Sequence, residues 1–124
     1  MGLDMYAFAI NEGEKYSDKE VEKDEVFYWR KHNALHAWME KKWREDGGDG
    51  VFNCAPFELS IELLDELEKD IRERNLEPTE GFFFGGTRYS DEDWERHERE
   101  DMEFIVEARI RINKGQKVFY DSWW

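Results

Sequence analysis

Residues 26–44 carry an aromatic stripe that is too apolar to face water. As a single helix, this segment places six side chains on one face: Tyr28, His32, Leu35, His36, Met39 and Trp43. The segment is also basic, with five lysines and arginines against one glutamate, in a chain whose net charge is −13. We therefore expect this helix to lie across a second layer of the fold and to present the best candidate binding surface.

The length and composition predict one soluble, folded domain covering residues 1–124. Aromatic residues make up 16% of the chain and there are only two prolines, which argues against disorder although 40% of the residues are charged. Cys54 is the only cysteine, which suits a reducing cytoplasm, and no apolar run approaches the roughly 20 residues that span a bilayer. The acidic net charge disfavours membranes and long nucleic acids as partners and favours a basic protein.

Two further helices have recognisable ends. Ser60 is a candidate N-cap for a helix over residues 61–74, and Asn75 can take the left-handed position that follows its last turn. Ser90 is a candidate N-cap for a third helix, which we expect to end at Gly115. These capping residues set the helix boundaries without any knowledge of the tertiary fold.

The remaining segments predict a small sheet. Strands are expected over residues 3–10, 81–86 and 117–124, with a short extended piece over residues 51–59 and the last strand docked beside the first. Residues 104–112 partly alternate as a strand would, but their helical period and the lack of turn residues favour helix. The predicted class is α+β, with an antiparallel or mixed sheet of about three strands and three helices packed on it.

Seven residues form a candidate ligand pocket on this arrangement. Asp4 and Asp121 are carboxylates in otherwise apolar strands, where a buried charge needs a partner. We expect the first helix to supply those partners and the aromatic and basic groups typical of nucleotide sites: Tyr28, Arg30, Lys31, His32 and His36. The alternative is a purely structural ion-pair network.

Histidine spacing suggests a metal site as a second possibility. His32 and His36 are four residues apart, as helical metal ligands are, and His97 is a candidate third ligand. Asn33 occupies the position at which an H-E-x-x-H hydrolase carries its glutamate, so that mechanism lacks its base. The sequence predicts no cofactor, and a divalent metal is the alternative. If no metal binds, the histidines are packing residues.

The third helix is the candidate interaction surface. Its first half is strongly acidic, and the residues proposed to contact a partner are Glu95, Glu98, Asp101 and Glu103. Such a face could imitate the phosphates of DNA and engage a nucleic-acid-binding host protein, although most charge runs are simply solvated.

Four sequence motifs resemble those of a family of small bacteriophage and prophage proteins. They are the opening MGLDMY, the YWRK segment that begins at Tyr28, GFFFG at residues 81–85 and the terminal YDSWW. Members are often named phosphoglycerate kinase, but this chain is too short for that two-domain enzyme and has no G-x-x-x-x-G-K-[ST] loop. The resemblance implies a phage-type accessory protein in the host cytoplasm. We expect a non-enzymatic protein that binds a host factor, with a small-molecule or nucleotide-binding domain, possibly a metal-dependent enzyme, as the alternative.

Overall fold

The computed structural model describes residues 3–18, 20–30, 32–76 and 90–123. Along these residues the elements are β1 (Asp4–Asn11), β2 (Asp24–Arg30), α1 (Asn33–Glu45), β3 (Phe57–Leu59), α2 (Ile61–Arg72), α3 (Asp91–Asn113) and β4 (Gln116–Trp123). The strands form an antiparallel sheet in the order β2-β1-β4-β3. The α+β class is confirmed, with four strands rather than about three. The strand predicted over residues 81–86 lies outside the described residues.

The predicted helix over residues 26–44 is wrong in its first third. That part forms β2 instead, and α1 begins only at Asn33. Side chains along β2 alternate with period two, so that Trp29 is buried while Tyr28 is 43% exposed. Aromatic side chains fit such a pleated surface, and pairing with β1 satisfies the backbone groups that a helix would satisfy within itself.

β1 and β4 are the central strands of the sheet. They pair in antiparallel register over eight residues each, from Asp4 opposite Trp123 to Asn11 opposite Gln116. The expectation that the last strand lies beside the first is therefore confirmed. This pairing places the two segments of the chain that are most distant in sequence next to each other.

Serine caps start both of the later helices as predicted. Ser60 Oγ accepts the backbone N–H of Leu63 at 3.1 Å. Ser90 and Asp93 form a reciprocal capping box, in which each side chain accepts the backbone N–H of the other residue. Each cap satisfies backbone donors that have no partner within the helix.

The helix ends differ slightly from expectation. Arg74, not Asn75, takes the left-handed conformation after α2, with φ of +53°. The N–H of Asn75 then donates to the carbonyl of Asp70 at 2.8 Å, which completes a Schellman motif. Residues 104–112 are helical as expected, and α3 is followed by Gly115 with φ of +91°.

All three helices pack on one face of the sheet. Their apolar side chains meet the inward residues of the strands in one core, to which β1 contributes Met5, Ala7 and Ala9, the preceding residue contributes Leu3, and β4 contributes Val118 and Tyr120. The opposite face carries no helix among the described residues, and we call it the open face. Nor does any helix in the described ranges have the length and apolar character needed to cross a bilayer.

Candidate functional site

The residues of the predicted ligand pocket do not converge. Four of them belong to the open face: Asp4, Tyr28, Arg30 and Asp121. Two are buried on the helix-covered face: His32 and His36. Lys31 lies outside the described residues. The predicted pocket that joins the two aspartates to the two histidines is therefore wrong, because successive strand side chains alternate between the faces of a sheet.

Asp101 is the centre of a buried polar cluster on the helix-covered face. Its carboxylate accepts Trp29 Nε1–H at 2.9 Å and His32 Nε2–H at 2.8 Å. The ring of His97 stacks on that of His32, with 3.9 Å between the ring centroids. Asp101 is only 1% exposed, so its assignment to an interaction surface is wrong. The cluster joins β2, the start of α1 and α3.

The histidines do not form a common metal site. His36 Nδ1 and the Tyr120 hydroxyl share a hydrogen bond of 2.6 Å, away from the bond between His32 and Asp101. Burial lowers the pKa of His36 to about 4. Burial also lowers the pKa of His97 to about 3, and the neighbouring His32 adds a smaller effect in the same direction. Among the described residues, no group of three or more histidine, cysteine or carboxylate side chains is placed to hold a metal ion.

Aromatic side chains cover much of the open face, where an antiparallel sheet commonly carries polar groups. We call this set the aromatic platform: Tyr6, Phe8, Tyr28, Phe119 and Trp123. The Tyr6 ring is central, with its centroid 4.3 Å from that of Trp123, 5.0 Å from that of Tyr28 and 5.5 Å from that of Phe8. Trp123 is 41% exposed and Tyr28 is 43% exposed.

The cross-strand register interleaves charged groups with the aromatic rings. Asp4 lies between Arg30 and Trp123 in one row, and Tyr6 lies between Tyr28 and Asp121 in the next. The Tyr28 hydroxyl donates to Asp4 Oδ1 at 2.8 Å, and this hydrogen bond is the main reason that the pKa of Tyr28 is raised.

Tyr16, in the loop between β1 and β2, packs against one side of the aromatic platform. Tyr16 donates its hydroxyl to Asp121 Oδ2 at 3.0 Å and lies against the Phe119 ring at 4.6 Å between centroids. Burial raises the pKa of Asp121, and the hydrogen bond from Tyr16 partly offsets this. Lys23 Nζ lies 4.7 Å from the centre of the Tyr16 ring. The far end of the aromatic platform, at Tyr28 and Trp123, is the more exposed end.

The acidic face of α3 is only partly available to a partner. Glu95 and Glu103 are exposed, whereas Glu98 is half-buried. The helix contains nine acidic residues and four arginines. Arg96 and Arg109 each pair with two carboxylates, and Arg109 links α3 to α2. Within α3, Asp93 and Glu100 pair with Arg96 and Glu107 pairs with Arg111, so the acidic charge of the helix is compensated only in part.

A groove of about 360 Å³ between α1 and the end of α2 is a second candidate site. It carries Trp38, whose indole N–H donates to Asp70 Oδ2 at 2.8 Å, and Lys42, which pairs with Glu66 at 2.6 Å. Because these polar groups already pair with one another, they offer few hydrogen bonds to a ligand in the groove. The aromatic platform is the stronger candidate.

Comparison with protein-family models, curated proteins and solved structures found no match for the chain. The site therefore has to be judged on its own geometry. The sequence did contain a signal for the aromatic platform: Asp4, Tyr6 and Phe8 alternate with Met5, Ala7 and Ala9, and Phe119, Asp121 and Trp123 alternate with Tyr120 and Ser122. Those alternating sets mark one sheet face, but only strand pairing shows that they share it.

Proposed function

We propose that this protein is a non-enzymatic binding protein that captures a basic protein partner on the open face of its sheet. The observation that carries the proposal is the composition of that face. Trp123, Tyr28 and Arg30 lie within two adjacent cross-strand rows and are all exposed. Tryptophan, tyrosine and arginine are the residues that most often dominate the binding energy of protein interfaces.

The choice of a basic partner follows from charge. The net charge of −13 attracts cationic surfaces at long range. On the open face itself the described acidic residues include Asp4, Glu25, Glu58 and Asp121, and the described basic ones include Arg30, Lys117 and Lys23. Net repulsion disfavours a polyanion on this face, so a protein is a better occupant than a nucleic acid.

The buried cluster supports binding rather than catalysis. Three side chains of the kind that acts as general acid or base, His32, His97 and Asp101, are almost fully buried and are joined to one another by a hydrogen bond and a ring stack. Catalytic acids and bases must reach the proton that they transfer, and this arrangement instead ties three elements together. If the phage resemblance holds, the partner is a protein of the bacterial host and the site of action is the host cytoplasm.

Affinity capture from host extract, with mass spectrometry of the retained proteins, tests this proposal. A platform variant, Tyr28→Ser with Trp123→Ser, removes two exposed rings and leaves the core intact. A matched helix variant, Glu95→Lys with Glu103→Lys, changes two exposed carboxylates on the opposite side of the molecule. The proposal predicts that a basic protein retained by the unaltered chain is lost by the platform variant and kept by the helix variant. Loss with the helix variant alone would instead assign capture to the acidic face of α3.

A further inference from the structure

We propose that the exposed end of the aromatic platform, formed by Asp4, Tyr6, Tyr28 and Trp123, is a subsite for a guanidinium group. In the partner this group would be an arginine side chain. The inference rests on the proposed function, because it names the chemical group through which the partner is recognised.

The four side chains are held together by direct contacts. The Tyr6 ring lies between the rings of Tyr28 and Trp123, at 5.0 and 4.3 Å between centroids, and the planes of Tyr6 and Trp123 differ by only 22°. Asp4 is the cross-strand neighbour of Trp123 and accepts the Tyr28 hydroxyl at 2.8 Å. Two partly exposed π systems and a carboxylate therefore share one small area of surface.

This combination favours a planar cation. A guanidinium is attracted by the negative faces of aromatic rings and pairs well with a carboxylate, and it loses less hydration than an ammonium when it stacks. Each of these interactions is modest at an exposed site, so the subsite would contribute specificity within a larger interface.

The structure also shows a competing cation. Arg30 is the cross-strand neighbour of Asp4 on the opposite side from Trp123, and it is close enough to lower the pKa of Tyr28 in opposition to Asp4. An incoming cation is repelled by Arg30, whereas an incoming anion is attracted by it. The effect of removing the Arg30 charge therefore has opposite signs for the two classes of ligand.

Nuclear magnetic resonance titration of the labelled, full-length protein tests the subsite. The probe is a short peptide of alternating glycine and arginine, and its control is the same peptide with neutral citrulline in place of arginine. The arginine peptide should shift the Trp123 indole and Tyr28 ring signals, and the citrulline peptide should shift them much less. Asp4→Asn, which keeps an acceptor for Tyr28, should weaken binding of the arginine peptide about 2- to 5-fold. Arg30→Gln should tighten it.

Several results would overturn the subsite. Equal binding of the two peptides, or weaker binding of the arginine peptide by Arg30→Gln, would exclude guanidinium recognition. Shifts of the same signals by inorganic phosphate that disappear in Arg30→Gln would identify an anion site. A dimer in sedimentation that dissociates in the Tyr28→Ser, Trp123→Ser variant would make a second copy of the chain the occupant.

The outcome separates the two proposals. If capture of a basic protein depends on the aromatic platform but the peptides bind equally, the proposed function stands and the guanidinium subsite fails. If the arginine peptide binds selectively but capture is unaffected by the platform variant, the subsite stands and the proposed function fails.

Discussion

Replacing Asp101 should cost more stability than any other single change to the acidic residues of α3. The residue is 1% exposed and accepts hydrogen bonds from Trp29 at 2.9 Å and from His32 at 2.8 Å. Asp101→Ala removes the acceptor for both N–H groups, each on a side chain that is at most 1% exposed. Depriving a buried donor of its acceptor costs about 1–3 kcal/mol, and Asp101→Ala deprives two buried donors of theirs.

We therefore expect the two lost hydrogen bonds of Asp101→Ala to lower the free energy of unfolding by about 3–5 kcal/mol, a large share of the roughly 5–15 kcal/mol of a typical domain. Urea denaturation followed by circular dichroism measures this directly. With a slope of about 1.5 kcal/mol per molar urea, the midpoint falls by about 2–3 M. Asp101→Asn, which keeps the volume and one acceptor oxygen, should cost less than Asp101→Ala.

Glu103→Ala is the matched control for this experiment. Glu103 lies two positions away on the same helix but is exposed, so its removal should change stability by no more than about 0.5 kcal/mol. A loss below about 1 kcal/mol for Asp101→Ala, or an equal loss for the control, would refute the assignment of Asp101 to the buried cluster. Either result would indicate that Asp101 lies on the surface, as its charge first suggested.

Three further changes test other parts of the structure. Burial lowers the pKa of His97 to about 3, so the unfolded chain binds a proton below about pH 6.5 that the folded chain does not. Stability should therefore fall as pH drops from about 6.5 towards about 3. His97→Phe should reduce the slope of unfolding free energy against pH, measured by urea titrations between about pH 6 and pH 4. An unchanged slope would contradict this expectation. Gly48→Ala should destabilise by about 1–3 kcal/mol in thermal unfolding, because its Cβ would lie 2.7 Å from the Trp43 carbonyl oxygen and against the Trp43 ring; a neutral result would show that the loop adjusts freely. Ser90→Ala should cost about 1 kcal/mol through loss of the capping box, against no change for the exposed Ser17→Ala, and equal unfolding midpoints would argue against that cap.

The charges of this acidic protein are arranged differently on its helices and on the open face of its sheet. The helices hold most of the compensated charge, including the pairs that Arg109 makes with Asp65 and Glu68 at 2.6 Å each. The open face combines aromatic rings with isolated charges of both signs. Long-range attraction and short-range recognition can therefore come from different parts of one small domain.

The elements that the sequence predicted well are those whose signals are local. Ser60 and Ser90 satisfy N–H groups within their own first helical turns, and Gly115 follows α3 in a left-handed conformation. The helix over residues 104–112 was likewise readable from its period. Each of these features depends on neighbours a few residues away, so the order of the chain is enough to reveal it.

Apart from the end of α2, where Arg74 replaces Asn75, the failures concern partners that are distant in sequence. Tyr28 and Trp29 fit a helical stripe as well as a strand, and the choice was made by pairing with β1. The charge of Asp101 resembled that of its exposed neighbours, and its burial depends on donors that lie 69 and 72 residues away.

The amino-acid sequence by itself determined the α+β class, the start of two helices and the two long central strands, because capping and periodicity act over a few residues. The tertiary structure alone decided which side chains meet. It set Asp4 and Asp121 on the open face with Tyr6 and Trp123, and it set the histidines on the other face. The physical reason is that strand side chains alternate between two faces, while register and helix packing, which join distant segments, determine what each face contacts.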